Sequence, residues 1–196
     1  ALSAAPGLPA VVALRGLLAA AFATAEVFLP LYLTREQGWT LAQAGLTLSA
    51  GAVLWSAGSA VQARIQAQAA RQHALQAGFG SVSAGLALIG LQQLAGLPAW
   101  CVVPGWALAG FGIGLAFPML SVLTLGLSAP GEQGRNASAL QLGDALCSSA
   151  VLAVAGALFT LLGDGGRLGH TLVLALALLL ALAGTCLGRR AFAVVR

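Results

Sequence analysis

Two acidic residues, Glu26 and Asp144, stand inside long apolar stretches, and they are the residues best suited to do chemistry. Glu26 interrupts the segment LLAAAFATAEVFLPLYLT, residues 17–34. If such a segment crosses a bilayer, a charged carboxylate near its centre costs roughly 3 kcal/mol, which pairing, water or protonation must offset. Because desolvation favours the neutral acid, Glu26 could bind and release a proton. The alternative is a structural acid that is hydrogen-bonded between helices or reaches the lipid headgroups.

Asp144 raises the same question on a second segment, ASALQLGDALCSSAVL. Gln141 precedes it by three residues and Ser148 follows it by four, which are the spacings of one helix face. A polar stripe inside a membrane helix should face protein or water rather than lipid. The stripe predicts either a wall of a functional cavity or a contact that holds helices together. Convergence of Glu26 and Asp144 on one cleft would favour the cavity.

The composition predicts that the two acids are carried by membrane helices. Of 196 residues, 59% are hydrophobic and only 7% are charged, and the mean hydropathy is +0.94. A water-soluble domain carries about 25% charged residues. Apolar runs of about 20 residues recur along the chain, so we expect one all-α membrane domain. Its six predicted spans are residues 11–33, 41–63, 78–95, 100–127, 136–162 and 169–188.

The arginines predict the orientation of these spans, because positive charge collects on the cytoplasmic side of a membrane protein. An N-terminus inside places seven arginines in the cytoplasm and only Arg35 and Arg167 outside. Both termini are then cytoplasmic. The absence of lysine beside abundant alanine, glycine and arginine is typical of GC-rich bacterial genomes, so we expect a bacterial cytoplasmic membrane. The seven cytoplasmic residues are Arg15, Arg64, Arg71, Arg135, Arg189, Arg190 and Arg196.

Composition and spacing also exclude several classes of site. The arginines are scattered singly among apolar spans and form no basic stripe, so no nucleic-acid partner is expected. Cys101, Cys147 and Cys186 are odd in number and lack the spacing of metal ligands. We therefore predict no metal site, and we expect neither a cofactor nor an enzymatic activity. The chain opens without methionine, and we expect it to be a piece of something longer.

Three stretches carry a resemblance to a known family. EVFLPLYLTREQGWTLAQAGLTL is similar to a seventh helix, its outer loop and the start of an eighth. GSAVQARIQAQAARQHALQAG is similar to the inner loop between helices eight and nine, and GFGIGLAFPMLSVLTLGL to helix ten. In this order, the sequence resembles the C-terminal half of a major facilitator superfamily transporter of the bacterial drug/proton antiporter branch.

This resemblance implies a half-bundle of two inverted three-helix repeats. Spans one and four would line the substrate cavity, spans two and five would meet a second half, and spans three and six would face lipid. Trp106 would then lie on a cavity-lining helix, where its ring could stack on an apolar substrate or pack in the core. Arg64 and Arg71 would be gating contacts of the cytoplasmic loop, or else simple determinants of topology.

The predicted function is a transporter half that exports an amphipathic or lipidic small molecule in exchange for protons. Its site residues are Glu26, Asp144, Gln141 and Trp106. Six helices cannot enclose an alternating-access path alone, so a second half, either a separate N-terminal half or another copy, is an expected partner. One alternative is a non-transporting membrane scaffold. Another is an intramembrane protease built on Ser121 and His170, but the Gly-x-Ser-Gly setting is absent and His170 is expected at the surface.

Overall fold

The computed structural model describes residues 7–161 and 166–192, and within these residues the chain forms six long helices and no β-strand. Each of the six is long and apolar enough to cross a membrane. A single 3₁₀ turn, Ala99–Cys101, precedes the fourth helix. The predicted all-α, six-span fold class is confirmed. The helices are α1 Leu8–Arg35, α2 Leu41–Ala63, α3 Gln68–Ala95, α4 Val102–Leu127, α5 Gln133–Leu161 and α6 Arg167–Phe192.

Local chemistry explains where several helices begin and end. Thr40 and Gln43 form the predicted capping box: the Thr40 hydroxyl accepts from the Gln43 N–H at 3.3 Å, and the Gln43 side chain accepts from the Thr40 N–H at 2.9 Å. Gly96 ends α3 with φ +64°, in the left-handed region that glycine enters without a steric penalty. These signals are readable in the sequence, and they fix the connection before α2 and the connection after α3.

The largest difference from the predicted spans is at the start of α3. The helix begins at Gln68, whereas the sequence-based span begins at residue 78. The intervening segment, QAARQHALQA, is polar but rich in alanine and glutamine, which favour helix. The connection from α2 to α3 is therefore only residues 64–67. Residue 162, Arg196 and the side chains of Arg189 and Arg190 lie outside the described residues.

The helices pack as two repeats of three. Because each helix can cross a membrane and the connections are short, consecutive helices run in opposite directions, and α4 therefore runs opposite to α1. Helix α1 packs on α5 and α6, while α4 packs on α2 and α3, and α3 also packs on α6. Exchanging each helix with the one three places away leaves this pattern unchanged. The packing is thus that of an inverted repeat.

The two ends of the bundle differ in their residues. We name the end with the α1–α2 and α3–α4 connections the tryptophan end, since Trp39 and Trp100 lie there. The opposite end, where α2 ends beside Arg64 and α5 begins beside Arg135, is the arginine end. The predicted orientation would place the arginine end in the cytoplasm.

Glycines allow α4 to sit against the backbones of both neighbours. A Cβ added at Gly110 or Gly114 would overlap the backbone of α2, and one added at Gly112 would lie 2.7 Å from the Val82 nitrogen of α3. Small residues let membrane helices approach closely, and van der Waals packing then stabilises the pair. Helix α4 is therefore wedged between α2 and α3 and fixes the wall on which the site is built.

Replacing Gly110 with alanine should destabilise the bundle, because the added methyl group would overlap Gly51 across the α2–α4 contact. Overpacking of this kind costs about 1–3 kcal/mol. We expect a lower unfolding temperature in detergent, measured by the change in tryptophan fluorescence on heating. Gly126→Ala is the matched control on the same helix, since a Cβ there would meet no atom within 4 Å. Equal unfolding temperatures for the two variants would contradict a tight α2–α4 contact.

Candidate functional site

A groove of about 420 Å³ opens between α1, α2, α4 and α5. Glu26 of α1 lines it together with Gln141 and Asp144 of α5. The structure therefore brings Glu26 into one cleft with two residues that lie more than 100 positions further along the sequence. Ser148, the remaining member of the polar stripe on α5, lines the same groove.

Glu26 lies on the exposed face of α1 and has no hydrogen bond or ion pair within the described residues. It lies nine residues before Arg35, the last residue of a 28-residue membrane helix. The neighbouring groove side chains on α1 are Ala19, Phe22 and Ala23, which cannot compensate a charge. A charge on Glu26 must be offset by solvent, by a proton or by a ligand in the groove.

Asp144, in contrast, is paired. The Arg15 Nε donates to the Asp144 Oδ2 at 2.7 Å, and the two side chains are only 10% and 15% exposed. Arg15 also donates to the Ser121 hydroxyl and, at 3.3 Å, to the Phe117 carbonyl. Its guanidinium carbon lies 3.8 Å from the centre of the Phe117 ring, a cation–π contact. Arg15 therefore connects α1, α4 and α5 through one buried cation.

The sequence alone did not predict this pair, because Arg15 was counted among the cytoplasmic charges. The assignment overlooked that Arg15 lies seven residues inside α1, where the whole residue is 8% exposed. Arg15 and Glu26 are eleven residues apart, which is about three helical turns and about 16 Å along one face of α1. That spacing was a readable signal that both lie on the same face of α1.

Aromatic rings form the apolar wall of the groove. Phe22, Trp55 and Phe117 all line it, and the Trp55 ring packs edge-on to Phe22 with centroids 5.5 Å apart. The structure does not place Trp106 on this wall, and that part of the prediction is wrong. Trp106 is 1% exposed and stacks behind Phe22 at 4.6 Å. Its ring fits there because Gly51 of α2 has no side chain to exclude it.

Arg64 and Arg71 are not in the groove but at the arginine end. Arg64 caps α2 and is exposed. Arg71 lies in the first turn of α3, where its Nε donates to the Ile65 carbonyl at 3.4 Å and so braces the short connection. The gating role remains a prediction.

The two residues considered for a protease are far apart. Ser121 accepts from Arg15, toward the arginine end of α1. His170 packs against the rings of Tyr32 and Phe159, with Tyr32 about 25 Å further along α1. His170 is 2% exposed, so the prediction that it lies at the surface is wrong. No Ser–His dyad forms between these two residues.

Removing one partner of the Arg15–Asp144 pair should destabilise the protein, because the remaining charge would stay buried and unpaired. Breaking a buried pair costs about 3 kcal/mol. We expect Arg15→Gln to lower the unfolding temperature strongly, and Arg15→Gln with Asp144→Asn to recover part of the loss. The control is Arg135→Gln, which breaks an exposed pair with Glu132 and should cost less than about 1 kcal/mol. An Arg15→Gln loss no larger than that of Arg135→Gln would contradict the pairing.

Comparison with known proteins places this groove in context. Comparison with curated proteins gives no match. The family model for the Major Facilitator Superfamily matches residues 2–152, more than three quarters of the 196-residue chain. The match includes α1 to α4 and the part of α5 that carries Gln141 and Asp144. With its six membrane-length helices, the chain belongs to the Major Facilitator Superfamily of membrane transporters.

Proposed function

We propose that the chain is half of a proton-coupled transporter that exports an amphipathic small molecule through the groove. The observation that carries the proposal is the unpaired Glu26 carboxylate beside a wall of aromatic rings. Membership of the family supports transport. Proton coupling and the substrate class are supported by the groove chemistry, and the direction of transport by the resemblance of the sequence to drug/proton antiporters.

The charges of the groove suggest how a proton and a substrate would exclude each other. Arg15 neutralises Asp144, so Glu26 is the one side chain in the groove whose charge the described residues do not compensate. A proton on the carboxylate removes that charge, and so does the positively charged group of a bound substrate. The two neutralise the same carboxylate, so they compete for it. This competition is the elementary requirement for exchanging one against the other.

The apolar wall would contribute affinity for the rest of the substrate. Phe22, Trp55 and Phe117 present ring faces and edges to the groove, and burial of apolar surface contributes about 25 cal/mol per Å². A molecule with an apolar body and a polar or cationic group fits both features. Gln141, exposed one turn before Asp144, can hydrogen-bond to such a group.

The open side of the groove supports the proposal of a second half. In the membrane windows of α2 and α5, only 22% and 11% of residues are buried, compared with 61% in α1. Large apolar side chains such as Val53 of α2 and Leu146 of α5 are 66% and 61% exposed. A second six-helix bundle docked on these helices would complete the cavity. The partner is a separate N-terminal half or a second copy of this chain.

The proposed setting is a bacterial cytoplasmic membrane with the arginine end inside. Arg64 and Arg71 would then stand at the cytoplasmic mouth, where movement of the α2–α3 connection could open or close access. This placement follows the excess of arginine at that end.

Glu26→Gln should abolish transport driven by a pH gradient, because the amide cannot exchange a proton. We would reconstitute the protein, with its partner half if one is required, in liposomes and measure accumulation of a fluorescent amphipathic cation such as ethidium. The rate of accumulation should fall at least tenfold, a ratio that corresponds to about 1.4 kcal/mol of free energy.

Glu132→Gln is the control for this measurement, because Glu132 is an acid outside the groove that pairs with Arg135 on the surface. It should leave the flux unchanged. A Glu26→Gln variant that still follows the pH gradient would contradict proton coupling at Glu26. A wild-type protein that gives no flux with either partner would favour the scaffold.

Cysteine crosslinking should reveal the second half directly. Val53 and Leu146 lie near the middle of α2 and α5, so in a parallel pair of identical halves the two residues would meet at one depth. In a background without native cysteines, Val53→Cys with Leu146→Cys should form covalent dimers in the membrane. The control, Leu179→Cys, is 64% exposed on α6 and should stay monomeric. Failure of the double variant to crosslink would contradict the homodimer and leave a separate half as the partner.

A further inference from the structure

A second cavity, lined by polar residues, lies at the tryptophan end and shares no residue with the groove. It is bounded by the ends of α1 and α3 and by the start of α6, and its volume is about 160 Å³. That is several times the volume of one water molecule in the liquid, about 30 Å³. Two side chains of opposite charge, Glu36 and Arg167, line it. The proposed transport function uses none of these residues.

Hydrogen bonds hold the wall of this cavity in place. The Tyr32 hydroxyl donates to the Gln92 Oε1 at 2.9 Å and accepts from the Gln37 Nε2 at 2.8 Å. The Gln92 Nε2 donates to the Leu97 carbonyl at 2.8 Å. Gln92 is 1% exposed and Tyr32 2%. A buried, connected network of this kind is rigid, so the cavity is formed before any ligand enters.

The two charged side chains do not pair with each other. Arg167 donates through its Nε, at 3.1 Å, and through its Nη2 to the Gln93 carbonyl. Three of the five guanidinium N–H groups remain for a ligand. Glu36 forms no ion pair within the described residues. In addition, Gln93 is 3% exposed, and its Oε1 has no hydrogen-bond partner among the described residues. The cavity thus presents a cation, an anion and an unsatisfied acceptor nearby.

We propose that this cavity binds the headgroup of a phospholipid that carries a phosphate and a primary ammonium, phosphatidylethanolamine. The guanidinium of Arg167 matches the planar, two-pronged geometry of phosphate oxygens. The ammonium group has three N–H donors for the Glu36 carboxylate and the neighbouring amide oxygens. A choline headgroup has no N–H, and a glycerol headgroup has no positive charge for Glu36.

The position of the cavity favours a lipid over a free solute. It lies where three membrane helices reach the end of their apolar spans, which is the level of the headgroups. On the same helix ends, Leu94 of α3 and Leu168 of α6 are 71% and 60% exposed. These side chains would contact the acyl chains of a lipid whose headgroup is seated in the cavity. Trp100, 66% exposed at this end, is of the type that anchors proteins at the interface.

The proposal is tested with purified, delipidated protein in detergent and short-chain dihexanoyl lipids. We expect phosphatidylethanolamine to raise the unfolding temperature in a saturable manner. The matching phosphatidylcholine and phosphatidylglycerol should bind at least about tenfold more weakly, since each loses one charge-assisted contact. This comparison uses the wild-type protein and so does not depend on how any variant folds. Equal shifts from the three lipids would overturn the proposal.

Two variants locate the site. Arg167→Gln and Glu36→Gln should each weaken phosphatidylethanolamine binding by about tenfold or more. Arg35→Gln is the control, because Arg35 carries the same charge at the same end of α1 but does not line the cavity. Binding that survives both cavity variants, or is lost equally in the control, would overturn the assignment. Glycerophosphoethanolamine has the headgroup without acyl chains, and an equal shift from it would overturn the lipid as the occupant.

Discussion

An uncompensated charge in hydrocarbon costs several kcal/mol, and that constraint governs every charged residue inside this bundle. Arg15 and Asp144 satisfy it permanently, by a 2.7 Å ion pair that Ser121 and the Phe117 carbonyl extend. Glu26, about 16 Å further along the same helix face, has no protein partner among the described residues. The groove therefore has one acid whose charge is compensated within the protein and one whose charge is not.

Close helix packing makes this arrangement of charges possible. A Cβ at Gly16 would lie 2.7 Å from the Cys147 sulfur, and one at Gly143 would lie 3.0 Å from a Val12 methyl group. Helices α1 and α5 therefore approach at the level of Arg15 and Asp144, so the guanidinium reaches the carboxylate without leaving the bundle. The glycines of α4 do the same for α2 and α3. The ion pair depends on close helix packing, because the distance between its two side chains is set by the separation of their helices.

The sequence predicted the fold better than the site, for identifiable reasons. Apolar runs of membrane length and a capping box at Thr40 are local signals, and they located all six helices. Helix α3 begins ten residues before the predicted span because the segment before Gly78 is polar, although its alanines and glutamines favour helix. Hydropathy indicates which residues are compatible with lipid, whereas the length of a helix depends on which residues favour a helical backbone. Span and helix therefore differ where a helix extends into solvent.

The site was only partly readable because its contacts join distant segments. Periodicity placed Gln141 and Asp144 on one face, and burial cost singled out Glu26, so three groove residues were identified. That Arg15 reaches Asp144, 129 residues away, depends on how α1 and α5 pack, which no local pattern specifies. Trp106 was misassigned for the same reason: its place behind Phe22 depends on the missing side chain of Gly51 across the helix contact.

The two repeats contribute different side chains to the groove although their helices pack in the same pattern. The pattern of helix contacts is the same in the two repeats, since α1 contacts α5 and α6 as α4 contacts α2 and α3. The titratable side chains are not shared equally: α1 carries Arg15 and Glu26, whereas α4, residues 102–127, has neither an acid nor a base. Helix α4 contributes instead Phe117 and the backbone carbonyl that orient Arg15. Arg15 and Glu26 thus come from one repeat, while Asp144 and Phe117 come from its inverted counterpart, so movement between the repeats would change the environment of these charges.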